Sequence, residues 1–230
     1  MRPWLKAILW GIAALVFVLM LLVVVAFNIC PITAWVYTEK YRLTGYPTPD
    51  VLLIGSSSIQ NWKTSESDLD PLSSVNVGIG GTVVRDWPPL LESLVTPFHP
   101  RAVLVYIAAN DLHNEHRDPE IVADELTALL ADIHTALPDA ILYYISVYAT
   151  GAQPESRADE DALNSAMSAL AKETDYMRYV DCAGALLGSD GAIRPALFRD
   201  DLVHLNDDGY RIWAQTIRAA LSQDFDELND

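Results

Sequence analysis

Residues 51–59 decide the fold, and they read Val51-Leu52-Leu53-Ile54-Gly55-Ser56-Ser57-Ser58-Ile59. A short, continuous apolar run is typical of a strand buried on both faces, as in a parallel sheet. The glycine permits a tight turn, and a cluster of hydroxyl side chains then opens a helix. A serine in that position lies near helix-terminal amides that favour developing negative charge. The segment therefore predicts either a catalytic hydroxyl or a set of ordinary helix caps.

Four more short apolar runs follow, at Val75–Val77, Ala102–Ala108, Ala140–Ile145 and Met177–Val180. Helical patterns separate them, one with Asp118 as N-cap and Pro119 next, and the last after Asn206 as N-cap. Alternating strands and helices predict a three-layer α/β/α sandwich with a central parallel sheet of about five strands.

The composition limits the classes of function. The chain has 230 residues, 51% of them apolar, and a formal net charge of -16. Its length and apolar content suit one packed domain. The acidity excludes nucleic acid as a partner, because phosphate binding needs clustered Lys and Arg. It also predicts that the domain stands off anionic lipid headgroups.

An uncharged apolar segment, Ala7–Phe27, precedes the domain. As a helix rising about 1.5 Å per residue it spans roughly 30 Å, enough to cross a bilayer. Arg2 and Lys6 before it predict a cytoplasmic N-terminus, residues 1–6, and an exported domain. A cleaved signal peptide and a lipoprotein processed at Cys30 are the alternatives. We expect a signal anchor that leaves the protein single-pass in the cell membrane, with its domain extracytoplasmic.

Three further boundaries follow from composition. Residues 28–50, with Pro31, Pro47 and Pro49, are interpreted as a stalk, because proline blocks helix continuation and sheet pairing. The globular domain is expected at residues 51–223, and an acidic tail at 224–230 is expected to fray. Cys182 follows an apolar stretch and is interpreted as a small core residue.

Two loops are expected at the same edge of the sheet as the serine cluster, because the carboxyl ends of parallel strands meet there. Residues 76–82, NVGIGGT, contain glycines that let backbone amides approach a substrate closely. Residues 106–111, YIAAND, place the side-chain amide of Asn110 where it can donate a hydrogen bond to an oxyanion. Each loop alone is equally compatible with an ordinary turn.

A fourth segment carries an acid and an imidazole three residues apart, Asp201 and His204. In a turn, Asp201 can bond Nδ1 of His204 and leave Nε2 free to take a proton. A neighbouring carboxylate favours the imidazolium, which suits a base that holds a serine proton. The alternative for this segment is a surface turn with a helix-capping acid.

Together the four segments resemble the SGNH (GDSL-like) hydrolases, in the same chain order and over nearly all of the chain after residue 50. The resemblance implies a flavodoxin-like sandwich and a serine esterase. It assigns Ser57 as the nucleophile, with His204 and Asp201 completing a catalytic triad. It also assigns the oxyanion hole to Gly81, Asn110 and the amide of Ser57. It requires no cofactor.

Two positions depart from the family pattern. Ser56 stands where an acidic residue usually precedes the nucleophile, and Ala108 stands where the third block usually has glycine. Neither change removes a reacting group. We expect a methyl group at position 108 to be a small steric change.

Other candidate residues are interpreted as structural. His113 and His116, with Asp111 and Glu115, have no third fixed ligand that would predict zinc, so we expect no metal and solvated histidines. Aromatic residues at strand and helix ends are expected to be core rather than pocket lining; they are Trp62, Trp87, Tyr106 and Tyr148.

The sequence thus predicts a membrane-anchored, extracytoplasmic serine esterase that acts through an acyl-enzyme. Short-chain acyl or acetyl esters, on small molecules or on glycans, are the expected substrates. Two alternatives stay open: an acyltransferase to envelope carbohydrate with the same triad, and a catalytically silent envelope-binding domain.

Overall fold

A parallel five-stranded sheet forms the centre of the domain in the computed structural model, which describes residues 10–12, 14–18 and 29–229. The strands are β1 (Val51–Gly55), β2 (Ser74–Asn76), β3 (Ala102–Tyr106), β4 (Ile141–Ile145) and β5 (Met177–Val180). Their spatial order is β2-β1-β3-β4-β5, and every neighbouring pair is parallel. The predicted parallel sheet is confirmed.

Helices cover both faces of this sheet. They are Ile29–Thr44, Ser57–Asn61, Ser65–Asp68, Leu91–Leu94, Ala109–His113, Pro119–Ala136, Arg157–Glu173, Cys182–Ala185 and Asp207–Leu221. Short 3-10 turns lie at Val84–Asp86, Pro88–Leu90, Thr96–Phe98, Pro154–Ser156, Pro195–Leu197 and Asp226–Leu228. Two apolar clusters fill the space between sheet and helices. The arrangement is the predicted three-layer sandwich.

The predicted helix starts are confirmed by their caps. The Asp118 side chain accepts a hydrogen bond from the amide of Glu120, directly before Pro119–Ala136. The Asn206 side chain accepts from the amides of Asp208 and Gly209 at the start of the final helix. These bonds satisfy amides that have no partner within the helix itself.

The site is positioned by the strand order. The sheet grows in opposite directions from β1, first to β2 and then to β3, so the chain reverses between β1 and β3. Loops leaving the carboxyl ends of the two strands diverge there and leave a crevice. β1 ends at Gly55 and β3 ends at Tyr106, so the serine and asparagine segments flank that crevice.

The predicted stalk is wrong in its structure, because residues Ile29–Thr44 form a helix that packs on the domain. Ala34 and Tyr41 are buried, and the Tyr41 ring meets Phe98 edge to face at 4.8 Å. Pro31 does not prevent the helix, since the first turn needs no amide from that residue. The prolines therefore led to a wrong prediction for a segment that forms a helix with one side buried against the domain.

The acidic tail also differs from the prediction, because it packs rather than frays over the described residues up to 229. Phe225 is buried, and Asp224 accepts a hydrogen bond of 2.6 Å from the Tyr143 hydroxyl. Arg178 and Arg101 pair with Asp224 and Glu227. These partners offset the repulsion that the run of acids would otherwise cause. Cys182 is fully buried, as predicted.

The predicted transmembrane segment, residues 7–27, falls mostly outside the described residues. Residues 10–12 and 14–18 within it are helical and exposed. Among the described residues, no helix is both long enough and apolar enough to span a membrane.

Gly55 gives a direct test of this architecture. A Cβ built at Gly55 would lie 2.0 Å from the carbonyl oxygen of Tyr106, at a φ of 142°. We therefore expect Gly55→Ala to lower the free energy of unfolding by about 3 kcal/mol or more, measured by chemical denaturation. Gly191→Ala is the matched control: φ is 75° but nothing lies within 4 Å, so its cost should be only about 1 kcal/mol. Equal losses in the two variants would contradict the role of the contact.

Candidate functional site

Ser57 lies at the first position of the helix Ser57–Asn61, directly beyond the turn at Gly55. The amide of Ser56 donates to the Tyr106 carbonyl at 3.0 Å, which ties this turn to the end of β3. Ser57 is half-buried, whereas Ser56 and Ser58 are buried. Of the three hydroxyl residues, Ser57 is the one that the fold leaves accessible at the crevice.

The structure brings Ser57, His204 and Asp201 into one hydrogen-bonded chain. His204 Nε2 lies 2.9 Å from Ser57 Oγ, and His204 Nδ1 lies 2.8 Å from Asp201 Oδ2. An ionised carboxylate can only accept, so Nδ1 carries the ring proton and Nε2 accepts from the serine hydroxyl. Ser57 and His204, which are 147 positions apart in the sequence, therefore meet as expected.

The turn that carries the acid and the imidazole is held by its own backbone. Asp201 Oδ1 accepts from the amides of Val203 and His204, both at 2.9 Å, and Leu202 adopts a left-handed φ of 54°. Burial raises the pKa of Asp201, but the His204 side chain and the two amides outweigh it and lower the pKa to about 2. Asp201 therefore stays ionised at neutral pH.

The glycine loop lies against Ser57. A Cβ built at Gly80 would come within 3.6 Å of the Ser57 Cβ, and the Gly80 amide donates to Gln60 Oε1 at 3.1 Å. Gly81 follows, exposed and with a φ of 81°. The loop backbone thus passes beside the nucleophile, and a Cβ at Gly80 would crowd Gln60 Oε1 at 2.5 Å.

Asn110 is oriented by two hydrogen bonds. Its Nδ2 donates to the Thr82 carbonyl at 2.9 Å, and its Oδ1 accepts from Asn114 Nδ2 at 2.9 Å. The bond to Thr82 uses one of the two amide hydrogens and fixes the amide plane, so the second hydrogen has a set direction. Asn110 is half-buried beside the glycine loop.

Alanine at position 108 has a larger effect than the small steric change expected, because it strains the backbone. Its φ is 90° and its ψ is -14°, a left-handed conformation that L residues with a Cβ rarely adopt. Glycine would take this conformation without strain. Alanine instead of glycine at this position therefore destabilises the folded backbone by about 1–2 kcal/mol. Asn110, two residues later, is still held in place.

Asp111 holds the two neighbouring loops together. It is fully buried, and its Oδ2 accepts from the Val84 amide while its Oδ1 accepts from Arg117. Burial raises the pKa of Asp111, and the Val84 amide and Arg117 oppose that rise. Within the described residues, no group of three or more His, Cys, Asp or Glu side chains could hold a metal ion.

His113 differs from the prediction of a solvated side chain. It is buried and lies 2.6 Å from Glu160 Oε1, on the helix Arg157–Glu173. The pair joins that helix to the short helix Ala109–His113, which carries Asn110. His116 is exposed, as predicted.

Tyr148 was predicted to be a core residue without a functional role, but it bridges two parts of the site. Its hydroxyl donates to the Val203 carbonyl at 3.2 Å and accepts from Ser58 Oγ, 2.9 Å away. Burial raises the pKa of Tyr148 to about 12, so the hydroxyl keeps its proton. Its position just beyond the carboxyl end of β4 was the available signal. Trp62, Trp87 and Tyr106 are buried core residues, as predicted.

Solved structures share this fold. A protein from Streptococcus pneumonia, described provisionally as a platelet activating factor, superposes with a TM-score of 0.77 at 17% identity, covering 90% of this chain and 99% of its own. A provisional acylhydrolase from Bacteroides fragilis gives 0.66 at 20% identity, covering 80% and 95%. A mutant acetylxylan esterase from Geobacillus stearothermophilus gives 0.58 at 20% identity, covering 76% and 94%. No curated protein matches the sequence.

Family membership is established by the sequence itself. The model of the GDSL-like lipase/acylhydrolase family matches residues 45–212, which include all four segments of the site. This chain therefore belongs to the GDSL-like lipase/acylhydrolase family and is a serine hydrolase that acts on ester bonds.

Proposed function

We propose that the chain hydrolyses short-chain acyl or acetyl esters with Ser57 as its nucleophile. The observation that carries this proposal is the relay of 2.9 Å and 2.8 Å from the Ser57 hydroxyl through His204 to Asp201. Serine is a weak nucleophile unless a base removes its proton as it attacks. His204 is placed to take that proton, and Asp201 stabilises the imidazolium that results.

Oxyanion stabilisation comes from the surrounding amides. As Ser57 Oγ bonds to the ester carbon, the carbonyl oxygen gains negative charge. The second hydrogen of the Asn110 amide and the backbone amides of Gly81 and Ser57 are the donors in this proposal. Such donors act strongly because they are fixed before the reaction begins. His204 then protonates the departing alcohol, and water releases the acyl group in a second, equivalent step.

The substrate is proposed to be an acetyl or other short acyl ester of a carbohydrate or a small molecule. One similar structure is that of an acetylxylan esterase, which supports an acetylated glycan as one such ester. The enzyme is proposed to act outside the cytoplasm on a membrane anchor. The uncharged residues 7–27 and the preceding Arg2 and Lys6 support this location.

Covalent labelling tests the nucleophile. A fluorophosphonate probe should label the wild-type protein and fail to label Ser57→Ala, because it reacts only with an activated serine. Ser57→Ala should also lose hydrolysis of p-nitrophenyl acetate by at least about a thousandfold. Ser56→Ala is the matched control and should keep both. Labelling that persists in Ser57→Ala would place the nucleophile elsewhere.

The charge of Asp201 gives a second test. Asp201→Asn preserves the shape of the side chain but removes the charge that stabilises the imidazolium, so kcat should fall about a thousandfold or more. The lowered pKa of Asp201 also means that its carboxylate stabilises the fold above the ordinary value of 3.8 and loses that effect as pH falls towards about 2. The free energy of unfolding, measured by chemical denaturation, should therefore fall more between pH 4 and pH 2 in the wild type than in Asp201→Asn. An equal fall in the two proteins would contradict the lowered pKa of Asp201.

Tyr148 is proposed to be a positioning residue. Its hydroxyl links Ser58, next to the nucleophile, with the carbonyl of Val203, next to His204. Tyr210 fixes the same helix by donating to the Ser58 carbonyl at 2.8 Å. The Ser57–His204 distance therefore depends on one buried hydroxyl that touches neither reacting group.

Removing that hydroxyl should slow the reaction without weakening substrate binding. Tyr148→Phe should lower kcat about tenfold, the equivalent of one hydrogen bond, and leave KM within about twofold. Tyr144→Phe is the matched control, since within the described residues the Tyr144 hydroxyl is buried without a hydrogen-bond partner. It should change kcat little. A rise in KM with unchanged kcat in Tyr148→Phe would indicate a role in binding instead.

A further inference from the structure

Gln60 joins the helix that carries the nucleophile to the glycine loop. It lies on the helix Ser57–Asn61, three residues beyond Ser57, and its Oε1 accepts a hydrogen bond of 3.1 Å from the Gly80 amide. A Cβ built at Gly80 would lie 2.5 Å from this oxygen and 3.6 Å from the Ser57 Cβ. The side chains of Gln60 and Ser57 therefore lie beside the same residue of the loop.

The bond to Gln60 holds the backbone immediately before Gly81, whose amide is a proposed oxyanion donor. The Gly80 amide donates to Gln60, and the Thr82 carbonyl accepts from the Asn110 amide at 2.9 Å. Gly81 thus lies between two residues whose backbone groups bind side chains. Its φ of 81° is in a region that glycine enters freely, so the two flanking bonds restrict a residue that has little restriction of its own.

The Gln60 amide has a defined orientation. The Gly80 N–H can only donate, so the Gln60 atom that faces it is the oxygen. The Nε2 group is then directed elsewhere and has two hydrogens to donate. Tyr37, on the helix Ile29–Thr44, lines the same cavity of about 230 Å³ as Gln60. Tyr37 is therefore placed to accept a hydrogen bond from Nε2.

The surroundings of the Tyr37 hydroxyl agree with such a bond. Burial and Tyr41 raise the pKa of Tyr37, whereas Lys40 and a hydrogen bond with the Gln60 side chain oppose that rise. A hydrogen bond lowers the pKa of a phenol when it is donated to the phenol oxygen, because it stabilises the phenolate. Tyr37 is half-buried and packs against the apolar core, which holds its ring in place. The contacts thus run from Tyr37 through Gln60 to the Gly80 amide.

The helix that carries Tyr37 precedes the part of the chain that defines the family. The family model matches residues 45–212, which include Gln60 and Gly80 but not the helix Ile29–Thr44. One side of this helix is nevertheless buried against the domain. A segment outside the matched residues therefore contacts a side chain that supports the glycine loop.

We propose that Gln60 is a positioning residue for the oxyanion hole and that Tyr37 holds Gln60 in turn. Gln60 keeps the glycine loop beside Ser57, so that the Gly81 amide stands where the ester oxygen gains charge. Tyr37 accepts from the other end of the Gln60 amide and restricts its rotation. Both residues act through the loop and not on the substrate. The inference rests on the proposed esterase activity, and it adds the helix Ile29–Thr44 to the catalytic unit.

Hydrolysis of p-nitrophenyl acetate by the full-length protein tests the role of Gln60. Gln60→Met keeps the length of the side chain and removes both hydrogen bonds, so the loop can shift relative to Ser57. The interaction lost is one made in the transition state, so kcat and kcat/KM should fall by the same factor, at least about tenfold. Asn61→Leu is the matched control, an apolar replacement of similar size at the next position of the helix. It should change either constant by less than about twofold.

A double-mutant cycle tests the role of Tyr37. Tyr37→Phe removes one hydroxyl and should lower kcat about threefold. Because Tyr37 acts through Gln60, the double variant Tyr37→Phe/Gln60→Met should have the same kcat as Gln60→Met alone. Tyr46→Phe is the matched control, since the Tyr46 hydroxyl donates to the Ser93 carbonyl at 3.0 Å, away from the glycine loop. It should leave kcat unchanged.

Two results would overturn the proposal. One is a kcat for Gln60→Met within about twofold of wild type, or a raised KM with unchanged kcat. The other is a double variant in which the two losses are additive, which would remove the link to Tyr37. If circular dichroism shows that Gln60→Met is unfolded, the comparison of Tyr37→Phe with Tyr46→Phe decides, and equal kcat values overturn the proposal. A wild-type protein that hydrolyses no ester would instead refute the proposed function, so the two failures are distinguishable.

Discussion

The approach of Gly55 to the Tyr106 carbonyl is the constraint on which the site depends. At this contact the adjacent strands β1 and β3 end side by side. The Ser56 amide bonds to the end of β3 there, as the chain turns into the helix Ser57–Asn61. Only a residue without a Cβ fits this crossing. The accessible hydroxyl of Ser57 therefore follows from a backbone contact two residues earlier, and the other three loops converge on a point already fixed.

The reacting groups are supported in two different ways. The turn of Asp201 and His204 is local, since its carboxylate binds the backbone amides of its own loop. Long-range contacts hold this turn beside the helix of Ser57, among them the hydroxyl of Tyr148 between Ser58 and Val203. Local bonds orient the imidazole, and the core hydroxyl links its loop to the helix that carries the nucleophile.

The sheet was predictable because its signals are local, whereas the site residues were assigned by the resemblance of the four segments together to the SGNH hydrolases. Uninterrupted apolar runs indicated the strands, and short spacings such as Asp201 to His204 indicated the turns. The helix Ile29–Thr44 was missed because prolines outweighed a weak periodicity, although Pro31 stands where a helix tolerates it. Contacts between residues distant in the sequence could not be predicted either. Arg178 and Arg101 pair with acids of the C-terminal tail, and buried His113 pairs with Glu160.

Cys182 has a consequence for a domain proposed to work in an oxidising compartment. Its side chain is fully buried, and burial raises the pKa of its thiol well above the ordinary value. Thiol–disulfide exchange proceeds through the exposed thiolate, so both requirements are missing in the folded state. Folding itself thus protects this sulfur from disulfide exchange, whether its surroundings are reducing or oxidising.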